Sequence, residues 1–127
     1  MVLNFQKDIS LRTYNTFGID VKSKKFIGIQ STDVLKAVLA ENQGAQVLLL
    51  GGGSNLLLTK DFDGLTIRIE NRGIEILKED EYGARIKVAA GENWHDFVLW
   101  CLKKDFGGVE NLALIPGSVG AAPIQNI

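Results

Sequence analysis

The stretch that decides the fold reads Leu50-Gly51-Gly52-Gly53-Ser54-Asn55-Leu56, with three glycines in a row near its centre. A second glycine-rich stretch, residues 115–126, reads IPGSVGAAPIQN, and neither stretch contains a charged residue. Glycine tolerates left-handed backbone angles and close approach, so the N–H groups of such loops can surround a phosphate. Two such loops in one chain predict a diphosphate gripped from both sides, and hence a dinucleotide cofactor.

The first stretch departs from two common phosphate-binding motifs. A Rossmann fingerprint, G-x-G-x-x-G/A, opens a helix. Here Gly51 and Gly53 fit its first two glycines, but Leu56 stands at the third, and an apolar run without helical spacing follows. The Lys-Ser/Thr ending of a Walker A loop is absent. The sequence therefore predicts a loop that joins strand to strand, which a tight structural turn would fit equally well.

The second stretch favours a ligand over a turn, because residues 116–123 contain nothing larger than valine. A surface turn has no need for such sustained smallness, whereas a backbone pressed against a ligand does. Gly52 and Gly120 are expected to adopt left-handed angles. Valine at either position should therefore weaken cofactor binding far more than it destabilises the fold.

Composition narrows the class of protein. The chain has 127 residues, is 46% hydrophobic and carries a net charge of −1, so it is the size of one domain and lacks the basic footprint of a nucleic-acid binder. One cysteine, Cys101, and one histidine, His95, offer no disulfide framework or metal site, and this cysteine content favours the cytoplasm. The sequence contains no signal peptide or run of about 20 apolar residues, so no membrane contact is expected.

The first half has the pattern of a parallel α/β unit. An extended segment at residues 19–30 is followed by a helix with an N-cap cluster at residues 31–33 and a C-cap at Gly44. Val47–Leu50 is an unbroken apolar run, which predicts a strand buried on both faces. Beyond the first glycine loop the sequence predicts a short apolar strand at 56–58, a turn at 61–64 and an alternating strand at 65–69.

The second half predicts a hairpin and one helix. The hairpin strands are residues 74–77 and 84–90, and the helix opens at Asn93 and ends at Gly107 and Gly108. Its expected buried stripe is Trp94, Phe97, Val98, Cys101 and Leu102. The predicted fold class is α+β or α/β, with one subdomain at about 1–71 and a second at about 72–127.

Five ordered motifs resemble the UDP-N-acetylmuramate dehydrogenase family, also called UDP-N-acetylenolpyruvoylglucosamine reductase. They are residues 15–18 (NTFG), 51–55 (GGGSN), 90–94 (AGENW), 110–117 (ENLALIPG) and 123–126 (PIQN). The GGGSN element alone would indicate only the wider superfamily of flavin oxidases with a vanillyl-alcohol-oxidase-type FAD domain. The set extends over most of the chain, so the resemblance is specific.

The resemblance implies a vanillyl-alcohol-oxidase-type (PCMH-type) FAD-binding domain made of two small α/β subdomains, the second incomplete, with FAD bound between them. The cofactor-binding residues that it implies are Gly51, Gly52, Gly53, Ser54, Asn55, Leu56, Pro116, Gly117, Ser118, Gly120, Ala121, Ala122 and Ile124. Ser54 and Ser118 are expected to donate to phosphate oxygens rather than to cap their own turns. Asn55 could equally pin its loop. Residues 15–18 could pack on the adenine half of FAD or merely fix the N-terminal segment.

The resemblance also implies a reaction. NADPH reduces the flavin, which passes a hydride to the enolpyruvyl double bond of a UDP-sugar, giving UDP-N-acetylmuramate for peptidoglycan. The family's proton-donating serine and its supporting arginine and glutamate lie in later segments, and no residue here matches them. We therefore expect a fragment without catalytic residues or a substrate-binding domain, inactive alone and weak in FAD affinity. Its second subdomain, short of strands, is expected to expose a sheet edge through which the fragment self-associates. The alternative is a non-catalytic nucleotide-binding or assembly module.

The one histidine, the one cysteine and Trp94 are expected to have structural rather than catalytic roles. His95 is expected to be a half-exposed helix residue, because one histidine without partners makes a poor metal site or general base. Cys101 is expected to be inert packing, and Trp94 to belong to the core.

Overall fold

The computed structural model describes residues 1–127, which divide into two units, Met1–Glu70 and Asn71–Ile127. The first unit contains β1 (Gln6–Ser10), a 3-10 turn (Arg12–Tyr14), β2 (Lys22–Ile29), α1 (Thr32–Glu41), β3 (Val47–Leu50) and β4 (Phe62–Ile69). The second contains β5 (Ile74–Asp80), β6 (Gly83–Val88), α2 (Trp94–Lys103) and two 3-10 helices (Glu110–Leu112 and Val119–Gln125). The assignment of these units as subdomains of a larger cofactor-binding domain stays a prediction.

The first unit is a four-stranded sheet with the strand order β1-β2-β4-β3. β2, β4 and β3 are parallel, and β1 runs antiparallel to β2. The predicted strand–helix–strand unit is β2–α1–β3, with β4 inserted between its two strands. The Ser31 side chain accepts a hydrogen bond from the Val34 N–H at 3.2 Å, which caps α1 as the sequence predicts. The helix ends at Glu41, before Gly44, whose left-handed φ of +81° serves the following turn.

Both faces of the two central strands are buried. Side chains alternate across a strand, so Ile27 and Ile67 share one face and pack with Val38 of α1. Phe26 packs in a second cluster with Leu11 and Val21. The fully buried Thr66 and Ser23 share a hydroxyl–hydroxyl hydrogen bond of 2.7 Å, which satisfies two polar groups inside the sheet.

The prediction that Val47–Leu50 is buried on both faces is wrong. β3 is an edge strand, because β4 lies between it and β2, and Leu49 is 60% exposed. The run at 56–58 is not a strand either: Leu57 is exposed, while Leu58 packs against the Leu11 cluster. The predicted turn at 61–64 instead contains the start of β4, at Phe62.

The second unit is built on a hairpin and a helix. β5 and β6 pair antiparallel, and the hairpin reverses at residues 81–82, between the two predicted strands. Asn93 caps α2 by accepting a hydrogen bond from the Asp96 N–H at 3.0 Å. The prediction that Leu102 belongs to the buried stripe is wrong, because its side chain is 44% exposed. The helix ends at Lys103 rather than at Gly107 and Gly108. The buried stripe is Trp94, Phe97, Val98 and Cys101, with Ile74, Ile86 and Val88 of the hairpin packed against it. Neither ten-residue helix is long enough to cross a membrane.

Alanine substitutions of adjacent leucines distinguish the two faces of β3. Leu50 is fully buried, so Leu50→Ala should lower the free energy of unfolding by about 3 kcal/mol by leaving a cavity. Leu49→Ala should lower it by less than about 0.5 kcal/mol, because that side chain is largely in solvent. Urea denaturation followed by circular dichroism measures both values. Equal losses would mean that the outer face of β3 is covered.

Candidate functional site

The first glycine loop begins where β3 ends, at the carboxyl edge of the parallel strands. In open α/β sheets this edge is where ligands bind. None of the backbone N–H groups of residues 51–55 donates a hydrogen bond within the chain, although Gly53 is buried. Buried N–H groups are almost always paired in folded proteins. A cluster of available N–H donors at a sheet edge is suited to an anion such as a phosphate.

Gly53 is the position in this loop that requires glycine. Its φ is +68°, and an added β-carbon would collide with the carbonyl oxygen of Tyr14 and lie 2.9 Å from the Asn15 α-carbon. The Thr16 N–H donates to the Gly53 carbonyl at 3.0 Å, which fixes the loop to the N-terminal segment. The loop is thus shaped from behind by residues 14–16.

Asn15 holds that N-terminal support in place. Its buried side chain donates to the carbonyls of Leu11 at 2.7 Å and Ile19 at 3.0 Å, and accepts from the Ile19 N–H at 3.0 Å. Its polar atoms therefore close a local turn. Of the two roles left open for residues 15–18, the contacts of Asn15 and Thr16 support fixing the N-terminal segment.

Arg68 brings a positive charge to this edge of the sheet, and sequence reasoning missed it. It pairs in register with Leu50, the residue before the glycines. Its guanidinium lies 4.7 Å from the Tyr14 ring centre and 3.5 Å from a Glu70 carboxylate oxygen. The available signal was its place near the end of an alternating strand, where a parallel sheet presents side chains to ligands.

The second glycine-rich stretch is only partly a loop, because residues 119–125 form a 3-10 helix. The N–H groups of Val119 and Gly120 donate to the Glu92 and Ala90 carbonyls at 2.8 and 2.9 Å, and that of Ala121 donates to the Ser118 carbonyl at 3.0 Å. The expectation that this stretch is rich in available N–H groups is therefore wrong for residues 119–121. The N–H groups of Gly117 and Ser118 donate no hydrogen bond within the chain.

Gly52 and Gly120 do not have the predicted left-handed angles. In the first stretch that angle belongs to the next residue, Gly53, with a φ of +68°, and in the second it belongs to Gly117, with a φ of +115°. Gly120 is needed for a different reason. A β-carbon there would lie 2.7 Å from the Ala90 β-carbon, so valine would damage the fold itself. The prediction for valine at 120 assumed a left-handed backbone angle, whereas the constraint at Gly120 is the lack of space beside Ala90.

The two serines keep their hydroxyl groups available. Neither the Ser54 nor the Ser118 hydroxyl takes part in a hydrogen bond within the chain, and Ser118 does not cap the 3-10 helix that follows it. The Asn55 side chain makes no intrachain hydrogen bond either, so the structure does not support a role for it in fixing the loop. Leu56, Ala121 and Ala122 are half-buried, whereas Pro116 and Ile124 are exposed. Direct contacts of all these residues with a cofactor stay predictions.

The chemical side chains of α2 have structural partners. The buried Trp94 donates its indole N–H to the Leu112 carbonyl at 2.8 Å, and the half-buried His95 accepts a hydrogen bond from the Leu114 N–H at 3.0 Å on Nδ1. Cys101 is buried, and burial raises the pKa of its thiol, which keeps it protonated and unreactive. No cluster of three or more metal-ligating residues occurs.

Two cavities lie away from the glycine-rich stretches. One of about 750 Å³ lies between the β5–β6 hairpin and α2, and includes Phe97 and Cys101 in its wall. The other, of about 550 Å³, lies in the first unit at the amino end of the parallel strands, beside Lys24 and Lys25. Neither is lined by a predicted cofactor-binding residue.

Residues 25–127 match the family model described as FAD binding domain. The chain belongs to this family. The membership confirms FAD as the expected cofactor of this FAD binding domain, which the availability of N–H donors in its first loop also fits.

Curated relatives confirm the family resemblance drawn from the motifs. The UDP-N-acetylenolpyruvoylglucosamine reductase of Flavobacterium johnsoniae is 52% identical over 98% of the chain, and that of Pseudomonas putida is 46% identical over 100%. The chain spans only 37–38% of the length of these relatives.

A solved structure shows the same fold. The crystal structure of UDP-N-acetylenolpyruvylglucosamine reductase (MurB) from Thermus caldophilus matches 95% of this chain and 41% of its own, with a TM-score of 0.71 and 22% identity. The predicted class, a partial FAD-binding domain of the PCMH type, is thereby confirmed.

Alanine substitutions of two adjacent glycines test which of them shapes the first loop. Gly53→Ala should lower the free energy of unfolding without cofactor by about 2 kcal/mol, because alanine disfavours the left-handed angle and meets the Tyr14 carbonyl. Gly52→Ala should change it by less than about 0.5 kcal/mol, since Gly52 is exposed and its φ is not positive. Chemical denaturation of the cofactor-free protein measures both. A Gly52 effect as large as that of Gly53 would contradict this account of the loop.

Proposed function

We propose that this FAD binding domain is the cofactor-binding part of a UDP-N-acetylenolpyruvoylglucosamine reductase. The observation that carries the proposal is the identity of 46–52% to reductases of that name across essentially the whole chain. The five motifs lie within the matched region, and they include both glycine-rich stretches. Bound FAD would accept electrons from NADPH and supply the hydride that reduces the enolpyruvyl group of the UDP-sugar to UDP-N-acetylmuramate.

The first loop fits the phosphates of FAD through backbone donors. The N–H groups of residues 51–55 have no acceptor within the chain, and the Ser54 hydroxyl is also available. Such donors are held in a fixed geometry because Gly53 is packed against Tyr14. We propose that this loop binds one phosphate of FAD and that Arg68 adds a favourable positive potential at the same sheet edge.

The second stretch fits a narrower role. Gly117 and Ser118 keep their N–H groups available, and the left-handed φ of Gly117 turns the chain between the Ile115-Pro116 segment and the 3-10 helix. We propose that Gly117 and Ser118 are the polar cofactor contacts of this stretch. We propose that Gly120 and Ala122 serve mainly in close packing, because Gly120 lies against Ala90 and Ala122 packs in the α2 core.

We further propose that binding and chemistry are separated in the parent protein. No serine of this chain lies in a motif that matches the family's proton donor. The relatives are more than twice as long as the matched region. A peptidoglycan role would place the parent in the cytoplasm. Self-association through an exposed sheet edge of the second unit, whose sheet contains only β5 and β6, is a separate prediction for the chain in isolation.

A charge test at Gly52 examines the phosphate assignment. Gly52→Asp places a carboxylate in the loop, whereas Gly52→Asn adds an almost identical side chain without the charge. In the natural gene product carrying this sequence, Gly52→Asp should bind FAD about tenfold more weakly than Gly52→Asn because of repulsion by the phosphates. Titration of FAD, followed by quenching of its fluorescence, measures both dissociation constants.

The same preparation tests the wider proposal. The unsubstituted gene product should acquire the yellow absorbance of oxidised flavin, and it should consume NADPH over repeated turnovers when the UDP-enolpyruvyl sugar is added to reoxidise the flavin. A protein that stays colourless in excess FAD would refute the cofactor assignment. FAD binding without any substrate-dependent turnover would favour the non-catalytic module, and equal affinities of the two Gly52 variants would refute the phosphate contact.

A further inference from the structure

Leu114 combines two unfavourable features. Its φ is +64°, a left-handed angle at which a residue with a β-carbon is strained, and its side chain is 79% exposed. Its neighbours Ala113 and Ile115 contribute to the apolar cluster around α2, so Leu114 alone in this run points into solvent. Strained residues persist only where the surroundings hold them, and they concentrate at ligand-binding sites.

The first turn of α2 holds this strained segment. His95 Nδ1 accepts the Leu114 N–H at 3.0 Å, so its proton lies on Nε2. The adjacent Trp94 contacts the same segment on both sides of Leu114. Its indole N–H donates to the Leu112 carbonyl at 2.8 Å, and its backbone N–H donates to the Gly117 carbonyl at 3.0 Å. The conformation of residues 112–117 is therefore set by two consecutive residues of one helix.

We propose that His95 is a positioning residue for FAD binding, and that it holds Leu114 so that the leucine side chain contacts an aromatic ring of the cofactor. The inference rests on the proposed function. Leu114 lies three residues before Gly117, the nearest proposed polar contact. An exposed leucine in a fixed backbone offers a flat apolar ring a contact surface without further ordering of the loop. His95 acts through Leu114 and takes no part in the chemistry.

The test measures FAD dissociation constants for the natural gene product and its variants. His95→Phe keeps a ring but removes the acceptor, and should weaken binding about fivefold. His95→Asn should restore affinity to within about twofold, because its amide oxygen, like Nδ1, is bonded to Cγ. Leu114→Ala should also weaken binding about fivefold. Leu102→Ala is the matched control: it removes an exposed leucine from the same unit and should leave affinity unchanged.

A double substitution separates positioning from general stability. Leu114→Gly removes the side chain but adopts the left-handed angle without strain, so it should fold even if His95→Phe does not. Adding His95→Phe to Leu114→Gly should change FAD affinity by less than about twofold, because no side chain is left to position.

The outcomes distinguish the inference from the function on which it rests. Unchanged FAD affinity in both Leu114 variants, or an Asn variant as weak as the Phe variant, would overturn the inference while leaving FAD binding intact. An equal His95→Phe effect with and without the Leu114 side chain would also overturn it. A wild-type protein that binds no FAD would refute the proposed function itself.

Discussion

The contact between Gly53 and the Tyr14 carbonyl is the constraint on which the first glycine loop depends. It leaves no room for a β-carbon, and it requires a left-handed angle that only glycine adopts easily. The Thr16 N–H then holds the Gly53 carbonyl, and Asn15 holds the turn that presents Thr16. Because the carbonyl side of the loop is occupied in this way, its N–H groups are left for a ligand. The N-terminal segment, which contains the motif at residues 15–18, thus shapes the first glycine loop from behind.

The second glycine-rich stretch resembles the first in composition, but most of its N–H groups that begin the 3-10 helix are paired within the chain. Here the N–H groups of Val119 and Gly120 close hydrogen bonds to Glu92 and Ala90, in the segment that leads into α2. At Gly120 the contact within the chain that requires a small residue is the one with Ala90. A glycine-rich sequence therefore indicates close approach of some partner, and the identity of that partner, backbone or ligand, depends on contacts distant in sequence.

The features predicted correctly from sequence are those that local chemistry determines. The caps Ser31 and Asn93 and the apolar periodicity of both helices are local signals, and the structure contains them. Burial of β3 could not be predicted, because it depends on β4 being inserted between β2 and β3. β1 gave no apolar pattern, since four of its five residues are exposed. The candidate site was predicted at the level of its loops and of the motif at residues 15–18. The tertiary structure was required for Arg68, for the choice between the two roles of Asn15, and for the backbone pairing of residues 119–121.

The reactive side chains of the chain are engaged in structure, and this bears on where chemistry can occur. His95 uses Nδ1 as an acceptor for the Leu114 backbone, so that nitrogen does not serve as a base while the segment is folded. Cys101 is buried with a raised thiol pKa. The first glycine loop is uncharged and presents oriented backbone dipoles, which are suited to binding an anion without supplying or removing a proton. A hydride transfer to an enolpyruvyl carbon needs a positioned proton donor at the adjacent carbon. A candidate site that offers backbone N–H groups and hydroxyls is suited to holding a cofactor, so under the proposed function the proton donor is expected outside this site.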